Sequence, residues 1–344
     1  MPGIRTPKPS RNVRSAAQEM PASIRQYQRW LEAAIAKHKF GKSPDSLYEP
    51  IRYLMRLGGK RLRPLLTLLA YALYRNDVKR IVPFAVAVES FHNFTLMHDD
   101  IMDKAPLRRG KTTVHEKWNT NTAILAGDVM LIKVYDMFLP LEAGMLKTVL
   151  KAFNACAAQV CEGQQWDMDF ETTRTVTEQQ YLAMIRQKTA VLLGFALELG
   201  AILAGAPEDE RTALRAFGIN IGLGFQLRDD LLDAFADPER FGKQIGGDIL
   251  ANKKTYLLIK ALAQARGATR RELQYWLTAR KYKKSDKIAA VKAIYERLGI
   301  QDAVNRKVSY YFRKGFQHLD LLAGKKRNTA MLEGFTRQLI ERQS

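Results

Sequence analysis

From Ile24 to Arg342 the apolar residues of this chain recur at steps of three and four almost without interruption. Phe84, Val88, Phe91, Phe94, Met97 and Ile101 form one such stripe, and Leu182, Ile185, Thr189, Leu192 and Leu193 another. That spacing stacks side chains on one face of a 3.6-residue helix, whereas a half-buried strand needs strict alternation, which is scarce here. Breaks fall at Gly58-Gly59, Pro83, Pro106 to Gly110, Pro140, Ala206-Pro207, Pro238 to Gly247 and Gly267. No fixed-period repeat and no long Gly/Ser/Pro linker divides the chain, which argues against a solenoid and against separate domains. The pattern predicts an all-α fold of ten or more helices in one domain over residues 23–344, the most uniformly apolar helices lying at its centre.

A chain of 344 residues can bury an ample core. Cys156 and Cys161 are its only cysteines, which excludes a disulfide framework and a four-cysteine zinc site and fits a reducing cytoplasm. The longest apolar stretch, Thr189–Ala206, carries Glu198 in its middle and is too short for a bilayer span of roughly 20 uncharged residues. Residues 1–22 read as a basic, disordered tail. The 55 Lys and Arg against 35 Asp and Glu give a net charge of +20. A polyanion is therefore the expected partner: nucleic acid, an anionic membrane surface or a phosphorylated small molecule.

Two segments break the apolar pattern. His98-Asp99-Asp100-Ile101-Met102-Asp103 continues one apolar helix, and Arg228-Asp229-Asp230-Leu231-Leu232-Asp233 continues another. Asp is a poor helix former, and the pairs Asp99/Asp103 and Asp229/Asp233 set like charges one turn apart, where they repel. Two helices carrying the same costly pattern point to function. Facing each other, such carboxylates would offer clustered hard oxygen ligands, which suits Mg²⁺ completed by water and substrate phosphates.

Cations gather near the same places. Gly58-Gly59-Lys60-Arg61-Leu62-Arg63-Pro64 sets three beside a glycine pair, Arg108-Arg109-Gly110-Lys111 follows the first acidic cluster, and Lys243, Lys253 and Lys254 follow the second. Arg/Lys beside glycines together with carboxylates is what metal-bridged diphosphate binding needs. Arg61 and Lys111 read as solvated surface charges, and Cys156, His98 and His115 as structural.

With these motifs in this order, the chain resembles the trans-prenyl diphosphate synthases of the polyprenyl synthetase family. The resemblance rests on GGKRLRP (Gly58–Pro64), LMHDDIMDKAPLRRG (Leu96–Gly110), AILAGD (Ala123–Asp128), QKTA (Gln187–Ala190), GFQLRDDLLD (Gly224–Asp233) and FGKQIGGD (Phe241–Asp248). It implies an isoprenoid-synthase fold around a central cavity, three Mg²⁺ ions and a homodimer in the cytoplasm, with at most peripheral membrane contact. Asp99 and Asp103 would bind two of the ions, with Asp100 supporting them, and Asp229 the third, helped by Asp230 and Asp233. Arg108, Lys188, Lys243 and Lys253 would contact the allylic diphosphate, and Thr189 and Gln226 would line the reacting carbons. Lys60, Arg63, His92 and Arg109 would hold the metal-free diphosphate of isopentenyl diphosphate. The residue added in Gly-Lys-Gln-Ile-Gly-Gly-Asp departs from the family's shorter form and touches the loop-closing role of Asp248.

The implied reaction is Mg²⁺-dependent head-to-tail condensation of isopentenyl diphosphate with dimethylallyl, geranyl or farnesyl diphosphate. Its steps would be ionisation, attack by the double bond, and proton loss. Product length would be set on the helix of the first motif. Phe94 lies about 7.5 Å and Phe91 about 12 Å along the axis from Asp99, at 1.5 Å per residue. Bulky rings there can floor the cavity beside the small Thr95, or pack against another helix as core. An aromatic five before the motif and a small residue four before resemble short-chain geranylgeranyl synthases, so a C20 product is expected, with farnesyl (C15) the alternative. A terpene cyclase would normally replace the second acidic motif and lack the Lys60/Arg63 pocket. A non-catalytic partner subunit would tend to lose acidic motifs retained here. A helical nucleic-acid-binding protein, prompted by the basic runs Arg280 to Lys284 and Lys325-Lys326-Arg327, shows no recognised motif, and such runs usually form solvated faces or loops; no nucleic-acid partner is expected.

Overall fold

The computed structural model describes residues 21–236 and 246–341. It is helical nearly throughout: α1 (Ala22–Lys37), α2 (Asp45–Arg56), α3 (Leu62–Ala72), α4 (Val82–Met102), α5 (Val114–Lys117), α6 (Thr120–Phe138), α7 (Ala143–Thr172), α8 (Glu178–Ile185), α9 (Val191–Leu203) and α10 (Glu208–Phe235). The second half continues with α11 (Gly247–Leu250), α12 (Tyr256–Gln264), α13 (Gly267–Thr278), α14 (Lys284–Arg297), α15 (Ile300–Gly324) and α16 (Ala330–Glu341). The expected all-α fold of ten or more helices is what forms. α1 begins at Ala22, within the segment read as tail.

Local signals set the boundaries. Pro83 opens α4, where its missing N–H costs nothing. Asn119 caps α6, and Thr177 with Gln180 makes a reciprocal capping box on α8. The triplet Lys325-Lys326-Arg327 is not the solvated run it resembles. Lys325 pairs with Asp209, and Arg327 donates to Glu210 at 3.0 Å, so the turn after α15 docks onto the acidic first turn of α10.

α9 is the axis of the domain. Every residue from Val191 to Leu203 except Glu198 is buried, and Glu198 lies 3.6 Å from Arg215 of α10. Around α9 pack α3, α7 and α10, while α4 packs on α6 and α10 on α15. Gly200 makes the closest of these approaches possible, because a Cβ there would stand 2.2 Å from the Thr67 carbonyl of α3. Among the described residues no helix is long and apolar enough to cross a membrane.

The only strands among the described residues are β1 (Leu107–Arg108) and β2 (Lys111–Thr112), an antiparallel pair with Arg108 opposite Lys111. Their two-residue loop, Arg109-Gly110, has φ of 54° and 72°, the paired positive values of a type I′ turn. This hairpin folds the end of α4 back over its own acidic cluster.

Candidate active site

α4 and α10 both end in aspartates, and a helix C-terminus already carries partial negative charge. Asp103 is the C-cap of α4, and Asp229, Asp230 and Asp233 occupy the last two turns of α10. Electrostatics alone therefore oppose this arrangement unless cations join it. Burial, with Asp103 and Asp100 close by, pushes the Asp99 carboxyl up to about 6 against the pull of Lys188 and Arg108.

The two aspartates that follow the first of each motif face inward. Asp100 is 2% exposed and accepts from Arg108 Nε at 2.9 Å and from its Nη2. Asp230 is buried, accepts from the Tyr181 hydroxyl and from Gln226 Nε2 at 3.1 Å, and burial pushes it up to about 7. Asp233 accepts the backbone N–H of Asp248 at 3.0 Å. Asp103 and Asp229 are exposed and Asp99 half-buried. Each helix thus presents open carboxylates and anchors its end with a buried one.

Between the clusters stands a residue that the sequence motifs do not include. Asp167 of α7 accepts from Lys188 Nζ at 2.6 Å and lies 3.5 Å from Lys253 Nζ. The two ammonium groups overcome its burial and hold its carboxyl below the usual range. Burial would lower Lys253, but Asp167, Asp248, Asp230 and Asp103 together raise it, which places it between both motifs. A signal for Asp167 is present in the sequence: the buried stripe of α7 runs Val149, Phe153, Cys156, Val160, Gly163, and Asp167 is its next member in step.

Lys188 and Thr189 sit in an irregularity that the spacing does not reveal. Arg186–Ala190 forms a π-helical turn between α8 and α9, the kind of bulge that recurs at functional sites. α7 touches its backbone directly, since a Cβ on Gly163 would stand 2.2 Å from the Lys188 nitrogen. The bulge aims Lys188 at Asp167, and Thr189 Oγ1 donates to Gln226 Oε1 at 3.2 Å. Thr189, Gln226, Asp230 and Tyr181 make one chain of hydrogen bonds.

A second cationic cluster lies at the start of α3. Arg63 Nη1 is 3.0 Å from His92 Nε2, and Arg63 Nε is buried with no hydrogen-bond partner among the described residues. Burial lowers Arg63 to about 10, with Arg109 adding to the strain, and holds His92 well below its usual value, reinforced by Arg63 and Arg109. Arg109 reaches back to the Gly58 carbonyl, and Lys60 is exposed beside it. Crowded cations with an unused buried donor form a site that an anion would relieve.

Arg61 overturns its reading as a solvated charge. It is 5% exposed and donates to Glu89, Glu32 and the Met55 carbonyl. Lys111 is exposed. Lys254 donates to the Phe170 and Glu171 carbonyls at 2.6 and 3.0 Å, capping α7. Lys243 lies outside the described residues.

On α4, Phe91 is 1% exposed and meets Phe153 of α7 edge-on at 5.0 Å, while Phe94 lies 5.7 Å from Phe91 and 4.8 Å from the His98 ring. Thr95 Oγ1 donates to the His92 carbonyl at 2.8 Å. Cys156 is buried, its thiol pushed up to about 12, which makes it inert at neutral pH.

Among the described residues no three acidic, histidine or cysteine side chains converge on one metal-sized point. The donor set is still a fit for Mg²⁺, which takes one or two carboxylates and leaves its other positions to water and substrate phosphate. Crowded carboxyls at two negative helix ends, with Asp99 held near 6, are the groups such a cation would stabilise.

Comparison with known proteins gives concordant results. The family model for polyprenyl synthetases matches residues 44–298. The chain is 38% identical over 301 residues to a geranylgeranyl diphosphate synthase of Methanosarcina mazei, covering 84% of this chain and 88% of that one. It is 43% identical over 219 residues to a short chain isoprenyl diphosphate synthase of Methanocaldococcus jannaschii, covering 63% and 67%. A crystal structure of a geranylgeranyl pyrophosphate synthase superposes with a TM-score of 0.84 at 43% identity, over 91% of this chain and 95% of that one.

Proposed function

This chain belongs to the polyprenyl synthetase family, and from that premise we propose that it extends an allylic diphosphate with isopentenyl diphosphate to geranylgeranyl diphosphate, farnesyl diphosphate being the alternative product. It is a prenyltransferase. The observation that carries the reading is the meeting of the α4 and α10 carboxylates on Lys188, Asp167 and Lys253, beside a separate cationic cluster. One diphosphate matches each. A terpene cyclase would have no use for the second.

Asp99, Asp103 and Asp229 would hold Mg²⁺, three ions in all. The bound ions would neutralise the charge that develops on the departing diphosphate. Lys188 and Lys253 add fixed positive charge there, and Asp167 keeps both ammonium groups aimed while the site awaits substrate. Arg108, held by Asp100, points its guanidinium at the same end. Arg63, Lys60 and Arg109 grip the isopentenyl diphosphate, and His92, neutral, accepts from Arg63 and fixes its plane. Thr189 and Gln226 orient each other beside the reacting carbons. Orientation of the two substrates supplies much of the rate, because the reacting carbons then meet without a bimolecular search. Phe94, with Phe91 behind it, would floor the space taken by the growing chain.

The reading extends to assembly and compartment. Leu125 and Ile132 on α6 and Leu139 just beyond its end recur every seven residues and are 58%, 58% and 62% exposed, an apolar stripe suited to a second copy of the chain. Light scattering on wild type and Ile132→Asp should give a dimer and a monomer. The unpaired Cys156 and Cys161 fit a reducing cytoplasm.

The deciding experiment incubates the full chain with isopentenyl diphosphate, Mg²⁺ and each allylic starter in turn, and reads product length by chromatography. A C20 product supports the proposal. No elongation of any starter removes it.

A further inference from the structure

The basic run that begins at Arg280 has one member unlike the rest. Arg280, Lys281, Lys283 and Lys284 are exposed, but Lys287 of α14 is only 1% exposed. Its ammonium pairs with no carboxylate among the described residues. Instead Nζ donates to Asn252 Oδ1 at 2.7 Å, has the Leu250 carbonyl at 3.4 Å, and stands 4.8 Å from the Tyr282 ring centre. A cation withdrawn from water persists only where such groups replace its hydration, so these contacts are costly to lose.

Both acceptors belong to one short connection. Leu250 ends α11, and Asn252 adopts a left-handed φ of 54° in the turn beyond it. The Asn252 amide also works in the other direction, donating to the Leu277 carbonyl of α13 at 3.1 Å. The next residue is Lys253, whose Nζ reaches Asp167, and Lys254 then caps α7. At the opposite end of α11, the Asp248 N–H is bound by Asp233 of the second acidic motif. The connection is tied to the site at both ends and pinned from behind by Lys287.

We propose that Lys287 and Asn252 form a clamp that sets where Lys253 and Asp248 stand, making Lys287 a positioning residue for the allylic diphosphate; this rests on the function proposed above. A displacement of an ångström at Lys253 would misplace charge around the departing group while leaving the Arg63–His92 contact, made between α3 and α4, untouched.

The test uses the full-length enzyme with Lys287→Met, which keeps the apolar stem, and Asn252→Gly, which keeps the left-handed backbone but removes the amide. Each should raise the KM for the allylic diphosphate about fivefold or more and change that for isopentenyl diphosphate less than about twofold. The double variant should be no worse than the more affected single one. Amide hydrogen exchange should quicken across Asp248–Lys254 in both. Equal rises in both KM values, strictly additive effects, or unchanged exchange in that segment would each overturn the clamp. Should Lys287→Met fail to fold, Asn252→Gly alone carries the same readouts. Exchange does not depend on turnover, so a wild-type chain without prenyl transfer would remove the proposed function while the clamp is still decided.

Discussion

Arg61 and Glu89 form a buried ion pair: Nη1 donates to Oε1 at 2.8 Å, and each side chain is 3% exposed. Arg61 also holds Glu32 of α1 and the Met55 carbonyl of α2, and Asn93 donates to the Glu89 carboxylate at 3.3 Å. Three helices thereby fix a residue at φ 45°, immediately before α3. The flanking Lys60 and Arg63 are left to the second cationic cluster.

Removing one partner of this pair strands the other without compensation. Arg61→Met should destabilise the protein by about 3–5 kcal/mol in urea denaturation. Replacing Glu89 by Met as well should recover part of that loss. If Arg61→Met unfolds at the wild-type denaturant concentration, the pair has no structural weight.

Open and buried aspartates should separate experimentally. Asp99→Asn and Asp229→Asn should each depress turnover on the order of 10²–10³-fold, comparable to removing other electrostatic groups from a site. Tyr181→Phe, which takes a donor from buried Asp230, should instead lower stability by about 1–3 kcal/mol. Near-normal rates in both Asn variants would refute the metal assignment.

His92 should make folding sensitive to mild acid. Its folded pKa is far below the unfolded value of about 6.5, so as pH falls the unfolded chain gains a proton that the folded chain refuses. The neutral residue costs nothing above about pH 6.5, and below it stability declines by up to about 1.4 kcal/mol per pH unit from this group. Urea denaturation between pH 7.5 and 5.5 should show a shallower pH dependence in His92→Gln. Equal slopes would mean that His92 titrates normally.

Phe94→Ala should lengthen the product by opening the space beyond its ring, whereas Phe91→Ala should chiefly cost stability, about 3–5 kcal/mol, because that ring packs on Phe153. An unchanged product distribution in Phe94→Ala would remove it as the floor.

Both acidic motifs and their helical setting are legible in the sequence because i,i+4 spacing is a property of one helix. The Arg63–His92 contact joins residues from two helices, so the resemblance can name the pair while spacing within either helix is blind to it. Asp167 is in register with a buried stripe, yet one carboxylate in a long helix is ordinary until its two lysines are seen. Arg61 misleads for the opposite reason: it follows the exposed Lys60 in a basic run, and only its partners Glu32 and Glu89 on other helices show that it faces inward.

An all-α chain, the position of its two acidic helix ends and the cations that follow them are written into local sequence, since periodicity, capping and charge spacing act over a few residues. Which of those charges are buried, and on which partners they close, is decided by tertiary packing alone. Burial and partner choice depend on helices far apart in the chain, and the free energy of a charge changes far more between water and a packed interior than between one local sequence and another.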